Sequence, residues 1–307
     1  MVSNYLFQMK INYLVIILVL LNSCSKEADK IEEIINNENI IGTGFFEFNG
    51  LLDKKINVYY HNPASSNSNS PIVFVFHGGG RNAKDYRNAI IDKSNQYNFI
   101  AIVPEFSVDN FSGGDGYNLG NVYIDGDNPS SSTLNPEEEW AFSYIEPIFE
   151  FVKEKTTNNN SKYNIIGHSA GSQFAHRFTM FKQNANSDEV VASAAGWYTV
   201  PNENVSFPYG FNNSLLENID YPKLFSQHIL IQVGELDNNP NEGSLRRNEF
   251  ADAQGINRYA RAYYFFNQSK EKAAELNTLF NWEIYTNSGL DHNYIPALNK
   301  AADLLFN

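Results

Sequence analysis

The sequence holds a single cysteine, Cys24, in 307 residues. No intramolecular disulfide can form, and no zinc site can be built on thiolates. Basic residues are also scarce: 22 Lys and Arg stand against 35 Asp and Glu, a net charge of −13. That balance argues against nucleic acid as a partner, because phosphate binding draws on clustered Lys and Arg. The apolar run from Tyr13 to Leu21 is short of the ~20 residues that a bilayer-crossing helix needs. What the chain does have is core material. With 42% hydrophobic and 14% aromatic residues it carries too much apolar surface to stay disordered.

Residues 1–23 contain Lys10 and no acid ahead of that short run, the layout of a secretory signal. Met9-Lys10 offers a second, more usual start for it, besides Met1. The last four residues, Leu21-Asn22-Ser23-Cys24, resemble the bacterial lipobox, in which the cysteine becomes the new N-terminus and carries a lipid. The resemblance implies lipid attachment at Cys24 and a place in the bacterial cell envelope, at the outer membrane. Residues 24–42 are charged and Asn-rich and read as a tether from membrane to domain. Residues 43–307 show no repeat and no dividing linker, and read as one catalytic domain.

Within that domain, residues 43–48 and 55–60 read as short strands around an Asn49-Gly50 turn. Residues 71–76 form a continuous apolar run, the mark of a strand buried on both faces of a parallel sheet. Similar runs recur at 99–103, 163–166, 190–195, 228–233 and 281–285. Helical stretches lie between them, at 83–97, 136–155, 170–182, 245–266 and 294–306. This alternation predicts an α/β fold with a mostly parallel, doubly wound sheet and helices on both faces. Two long polar or aromatic segments, 105–135 and 197–227, interrupt it and are candidates for substrate walls.

The chemistry centres on Gly167-His168-Ser169-Ala170-Gly171. A strand runs into this G-x-S-x-G and a helix runs out, the context of a nucleophile elbow that lifts the Ser169 hydroxyl above the sheet edge. A serine needs a base, and the base needs an orienting carboxylate. Of six histidines, His292 lies in a Gly-containing loop between the last strand and the last helix and is the candidate base. His168 is expected to point away from the serine hydroxyl, and His77 to be structural. The strand 228–233 ends in Gly234-Glu235-Leu236-Asp237, which makes Asp237 the candidate carboxylate and Glu235 the alternative. Asp291 reads as a loop-capping or solvated residue. Oxyanion donors are expected from the Ala170 N–H and from His77-Gly78-Gly79-Gly80, with Gly79 favoured and Gly80 next to it. Asp109, Asp115, Asp125 and Asp127 do not follow the EF-hand spacing and read as a solvated acidic loop. No metal and no cofactor are expected.

With elbow, glycine loop, strand-end acid and loop histidine in order, residues 43–307 resemble the α/β-hydrolases. Pro71 to Gly80, followed by Asn82-Ala83, is similar to the poly(3-hydroxybutyrate) depolymerase and feruloyl esterase-like branch. The resemblance implies a metal-free serine esterase acting on a small-molecule or polymer-borne ester. Ser169 would form the acyl-enzyme, His292 carry the proton, Asp237 hold the imidazole, and Ala170 and Gly79 receive the oxyanion. The chain departs from that branch in having no disulfide and no separate polymer-binding module. Two other readings use the same residues or none of them: a serine peptidase with this triad, and a non-catalytic envelope binding lipoprotein.

Overall fold

The computed structural model describes residues 39–49 and 54–307. Cys24, the signal segment and most of the segment read as a tether lie outside them. Ile40, near the end of that tether, is buried, and its carbonyl accepts a hydrogen bond from Asn62 Nδ2 at 2.7 Å.

The strands are β1 (Gly42–Asn49), β2 (Lys55–Asn62), β3 (Ile72–Phe76), β4 (Ile100–Pro104), β5 (Tyr163–His168), β6 (Ser187–Ser193), β7 (His228–Gly234) and β8 (Glu283–Asn287). They form one sheet in the order β1-β2-β4-β3-β5-β6-β7-β8. β1 pairs with β2, and β2 with β4, antiparallel; every other pair is parallel. Every residue of β3 and β4 is buried, as continuous apolar runs require when helices cover both faces.

The five longest helices among the described residues are α1 (Ala83–Tyr97), α2 (Ile145–Thr156), α3 (Ala170–Phe181), α4 (Arg258–Glu275) and α5 (Tyr294–Phe306). α1 and α5 pack on the face that Val73 and Val75 of β3 present. α2, α3 and α4 pack on the opposite face, presented by Ile72, Phe74 and Phe76. Residues 170–180 of α3 are buried throughout, so this helix is hemmed in on all sides.

Two helices differ from the sequence expectation. The stretch 136–155 does not start at Pro136. Two short 3-10 turns, Glu137–Glu139 and Ala141–Tyr144, flank an extended Trp140, and the α-helix begins at Ile145. Trp140 explains the break: its ring is buried and its Nε1–H donates to the Asn135 carbonyl at 2.9 Å, which a continuous helix would forbid. The stretch 245–266 is likewise divided, into Glu249–Ala253 and α4. Gly255 takes φ +137° between them, and the Asn257 side chain caps the second helix by accepting from Ala260 N–H.

The tightest crossing lies where α3 leaves β5 beneath β3. A Cβ on Gly171 would stand 2.0 Å from the Phe76 carbonyl oxygen, and one on Gly167 would stand 2.2 Å from the Gly171 carbonyl oxygen. Backbone meets backbone at both points, so nothing flexible can move aside. Gly171→Ala is expected to lower unfolding free energy by about 1–3 kcal/mol, the usual cost of overpacking a close-packed interior. Urea denaturation measures it, and a midpoint equal to wild type would contradict so close a crossing.

Candidate active site

Four loops converge at the carboxyl ends of the parallel strands, the side on which open α/β sheets bind ligands. Ser169 follows β5 directly and sits at φ 58° and ψ −116°, outside the regions that L-residues favour. Its N–H is held by the Ser193 carbonyl of the neighbouring β6 at 2.9 Å. The strained turn thus presents the hydroxyl at the strand end rather than burying it along the sheet.

Asp237 closes a turn after β7, where its N–H donates to the Gly234 carbonyl at 3.1 Å. His292 lies in the loop after β8. The two loops are joined by Glu235 N–H to Asn287 O at 3.0 Å and Leu236 N–H to Leu290 O at 2.9 Å. The Glu235 carboxylate adds to this by accepting from Ser288 Oγ at 2.8 Å and Gly289 N–H at 3.3 Å. Glu235, the alternative acid, therefore holds the loop that carries His292. Asp291 caps that loop by accepting from Asn293 N–H at 2.9 Å.

The outcome is a chain of two hydrogen bonds. His292 Nδ1 is 2.7 Å from Asp237 Oδ2, and His292 Nε2 is 3.1 Å from Ser169 Oγ. A carboxylate can only accept, so Nδ1 carries the proton and the Nε2 lone pair faces the serine hydroxyl. The second Asp237 oxygen, Oδ1, is met by Arg258 Nη1 at 3.3 Å, with both side chains buried. Arg258 in turn donates through Nη2 to Ser244 Oγ at 2.9 Å. With both oxygens engaged, the carboxylate has one orientation in which to meet the imidazole. No sequence signal singled out Arg258; it stands at the first turn of α4, beyond the break at Gly255 that the pattern of residues did not reveal.

Gly79 borders the cavity in front of Ser169, and a Cβ there would meet nothing within 4 Å. Ala170 occupies the first position of α3, where the helix's own ladder offers its N–H no acceptor. The Ala170 N–H is therefore a donor of the right class for an oxyanion.

Three further histidines are buried and held neutral. His77 accepts from Phe106 N–H at Nε2 (3.2 Å), donates from Nδ1 to Gly78 O (3.0 Å) and stacks on Tyr117. Burial lowers its pKa from the ordinary value to about 4. His176 accepts from Thr199 N–H and donates to Ser172 O, and burial holds its pKa well below normal. His168 does not turn away from the site as expected. It lines the same cavity, its ring centroid 4.8 Å from that of His292, and Tyr86 hydroxyl hydrogen-bonds its Nδ1 at 3.2 Å. Burial first, then the nearby His292 and Arg258, push its pKa well below normal, so it adds no second cation beside the base. Folding thus excludes protons that the unfolded chain binds below about pH 6.5. Stability from these three groups is complete above that pH and is lost as pH falls through their depressed folded pKa values, down to about 4 for His77. Urea unfolding between pH 7 and pH 4.5 should show stability falling by up to about 1.4 kcal/mol per pH unit for each histidine. A flat profile over that range would contradict their burial as neutral rings.

No protein-family model and no curated protein matches this chain. Solved structures do. Poly(aspartic acid) hydrolase-1 from Sphingomonas sp. KT-1 is 32% identical, with 87% of this chain and 99% of that one covered at a TM-score of 0.81. A poly(3-hydroxybutyrate) depolymerase from Bordetella parapertussis is 24% identical, covering 87% and 90% at 0.78. A siderophore hydrolase from Aspergillus nidulans is 14% identical, covering 89% and 96% at 0.53. The last two likenesses bear on fold; the first bears on family. With its sheet order, its elbow and that relative, the chain belongs to the α/β-hydrolase superfamily of serine esterases and related hydrolases.

Proposed function

We propose that the protein hydrolyses carboxylic esters through an acyl-enzyme on Ser169. The observation that carries this reading is the continuous path from Asp237 through His292 to Ser169, at 2.7 and 3.1 Å. Ser169 Oγ forms a bond to the acyl carbon as its proton passes to His292 Nε2. The ester C–O bond then breaks, and the departing alkoxide takes that proton and leaves as the alcohol. Water delivers its proton to the same nitrogen and its oxygen to the acyl carbon; the acid is released and Ser169 regains its hydrogen. Asp237 steadies the imidazolium that forms in each half, while the N–H groups of Ala170 and Gly79 receive the oxyanion. The relative named for poly(3-hydroxybutyrate), a polyester, keeps polymer-borne esters within this reading; the one named for poly(aspartic acid), whose units are joined by amides, speaks for the family but not for the ester bond.

The same proposal includes an envelope location. The lipobox-like Leu21-Asn22-Ser23-Cys24 supports a lipid on Cys24, with the hydrolase held at a bacterial outer membrane. A single acyl chain binds membranes only marginally, so a multiply acylated cysteine is the form that would hold it there.

A p-nitrophenyl ester series from acetyl to decanoyl, with Ser169→Ala beside wild type, tests the chemistry. The variant is expected to lose at least about a thousandfold in kcat, as removal of an activated nucleophile does. Equal rates in the two proteins would end the acyl-enzyme reading. For the anchor, expression of the full chain in a Gram-negative host should put wild type in the membrane fraction and Cys24→Ala in the soluble fraction. Identical partitioning would remove the lipid proposal and leave the chemistry standing.

A further inference from the structure

The active-site cavity, about 690 Å³, is lined by arginines in a chain whose net charge is negative. Acids outnumber bases 35 to 22 in the sequence, yet among the described residues lining this cavity Arg81, Arg246 and Arg258 are present and no Asp or Glu is.

Two of the three arginines are already occupied. Arg81 donates to the backbone carbonyls of Phe106, Phe111 and Gly113, the last two at 3.1 and 2.7 Å, and lies over the Tyr117 ring. Arg258 is committed to Asp237 and Ser244. Arg246 differs. Its only hydrogen-bond acceptor among the described residues is Asp127, and both carboxylate oxygens, at 2.6 and 2.7 Å, go to the one nitrogen Nη2. Nε and Nη1 are left for another acceptor, and the side chain is about one-third exposed. The guanidinium lies over Trp197 and Tyr209, with ring centroids 5.0 and 5.3 Å away.

Behind this arrangement stands a second cation. Arg177 is fully buried against the same Trp197 ring, at 4.2 Å, and has no carboxylate partner among the described residues. Its bonds go to Thr199 Oγ1 and to the carbonyls of Asn118 and Gln173, and its Nη2 is buried with no acceptor. A buried guanidinium without a counter-ion makes the region in front of it favourable for an anion.

We infer that this site takes esters bearing a carboxylate, and that Arg246 binds that carboxylate by exchanging Asp127 for it. This inference rests on the ester-hydrolase reading above. Asp127 acts as an internal stand-in: it keeps Arg246 extended over Trp197 when the cavity is empty, and competes with the substrate for the same group. Guanidinium and carboxylate match as paired N–H donors and two oxygens, so an incoming carboxylate can use Nε or Nη1 together with Nη2.

The test compares charged esters with uncharged isosteres. The p-nitrophenyl half-ester of adipate against p-nitrophenyl 6-methylheptanoate puts the charge on the acyl side. 4-Acetoxybenzoate against 4-isopropylphenyl acetate puts it on the leaving group. The readout is the ratio of kcat/KM, charged over uncharged, corrected for spontaneous hydrolysis; a general loss of turnover or of folded protein cancels from it. Arg246→Gln should lower this ratio at least about tenfold for one pair, in line with the loss of one charge-assisted hydrogen bond. Asp127→Asn should raise it, through a lower KM for the charged ester. The pair that responds tells whether the carboxylate sits on the acyl or the alcohol side. Wild-type turnover with neither variant moving either ratio would overturn the inference and leave the esterase reading intact. Absence of wild-type turnover on all four esters, in folded protein, would instead overturn the esterase reading, and the inference with it.

Discussion

The strained turn at Ser169 is the constraint on which the rest of the site depends. A non-glycine residue at φ 58° and ψ −116° costs on the order of 1–3 kcal/mol and persists only when its surroundings over-determine it. Here they do. The Ser169 N–H is tied to β6, the glycines on either side let α3 pass against β3 at backbone contact, and α3 itself is buried from Ala170 to Met180. The sheet and the buried helix act as a vice. Relaxation of the serine would require β5 and α3 to part, which close packing does not allow.

The other two members of the chain reach the serine by a different route. Neither lies on a strand; each lies in a loop, and loops are free to drift unless tied. The ties run between the loops themselves, through the Glu235 and Leu236 N–H groups and the Glu235 carboxylate. Arg258 then fixes Asp237 from below. A buried ion pair is a weak source of net stability, because desolvation offsets the attraction. Its effect here is on orientation: Asp237 has one oxygen for the arginine and one for the imidazole.

How much of this could be read in the residues depends on how local the signal is. The eight strands and the helices α1, α3 and α5 were legible because each is written in a short run of apolar residues or an uninterrupted helical pattern. Ser169 was legible because strand, turn and helix are contiguous around it. The candidate base and acid followed from chain order and from strand-end position, which are also one-dimensional. The divided helices were not legible. Their breaks come from the burial of Trp140 and from the close approach of Ala260 to Gly255, where a Cβ would stand 2.6 Å from that of Ala260, and both are consequences of packing.

The sequence by itself determined the fold class, the elbow and the order in which serine, acid and histidine occur, since periodicity and spacing act along the chain. The tertiary structure alone decided which charges meet. Arg258 with Asp237, Arg246 with Asp127, and Arg177 beneath Trp197 join positions 21 to 119 residues apart, or stack a cation on a ring 20 residues on. Electrostatic and hydrogen-bonding partners are set by distance in space, which falls off steeply over a few ångströms and leaves no trace in sequence separation. A chain with an excess of acid could therefore fold to present a cavity lined by arginines, and only the folded arrangement reveals it.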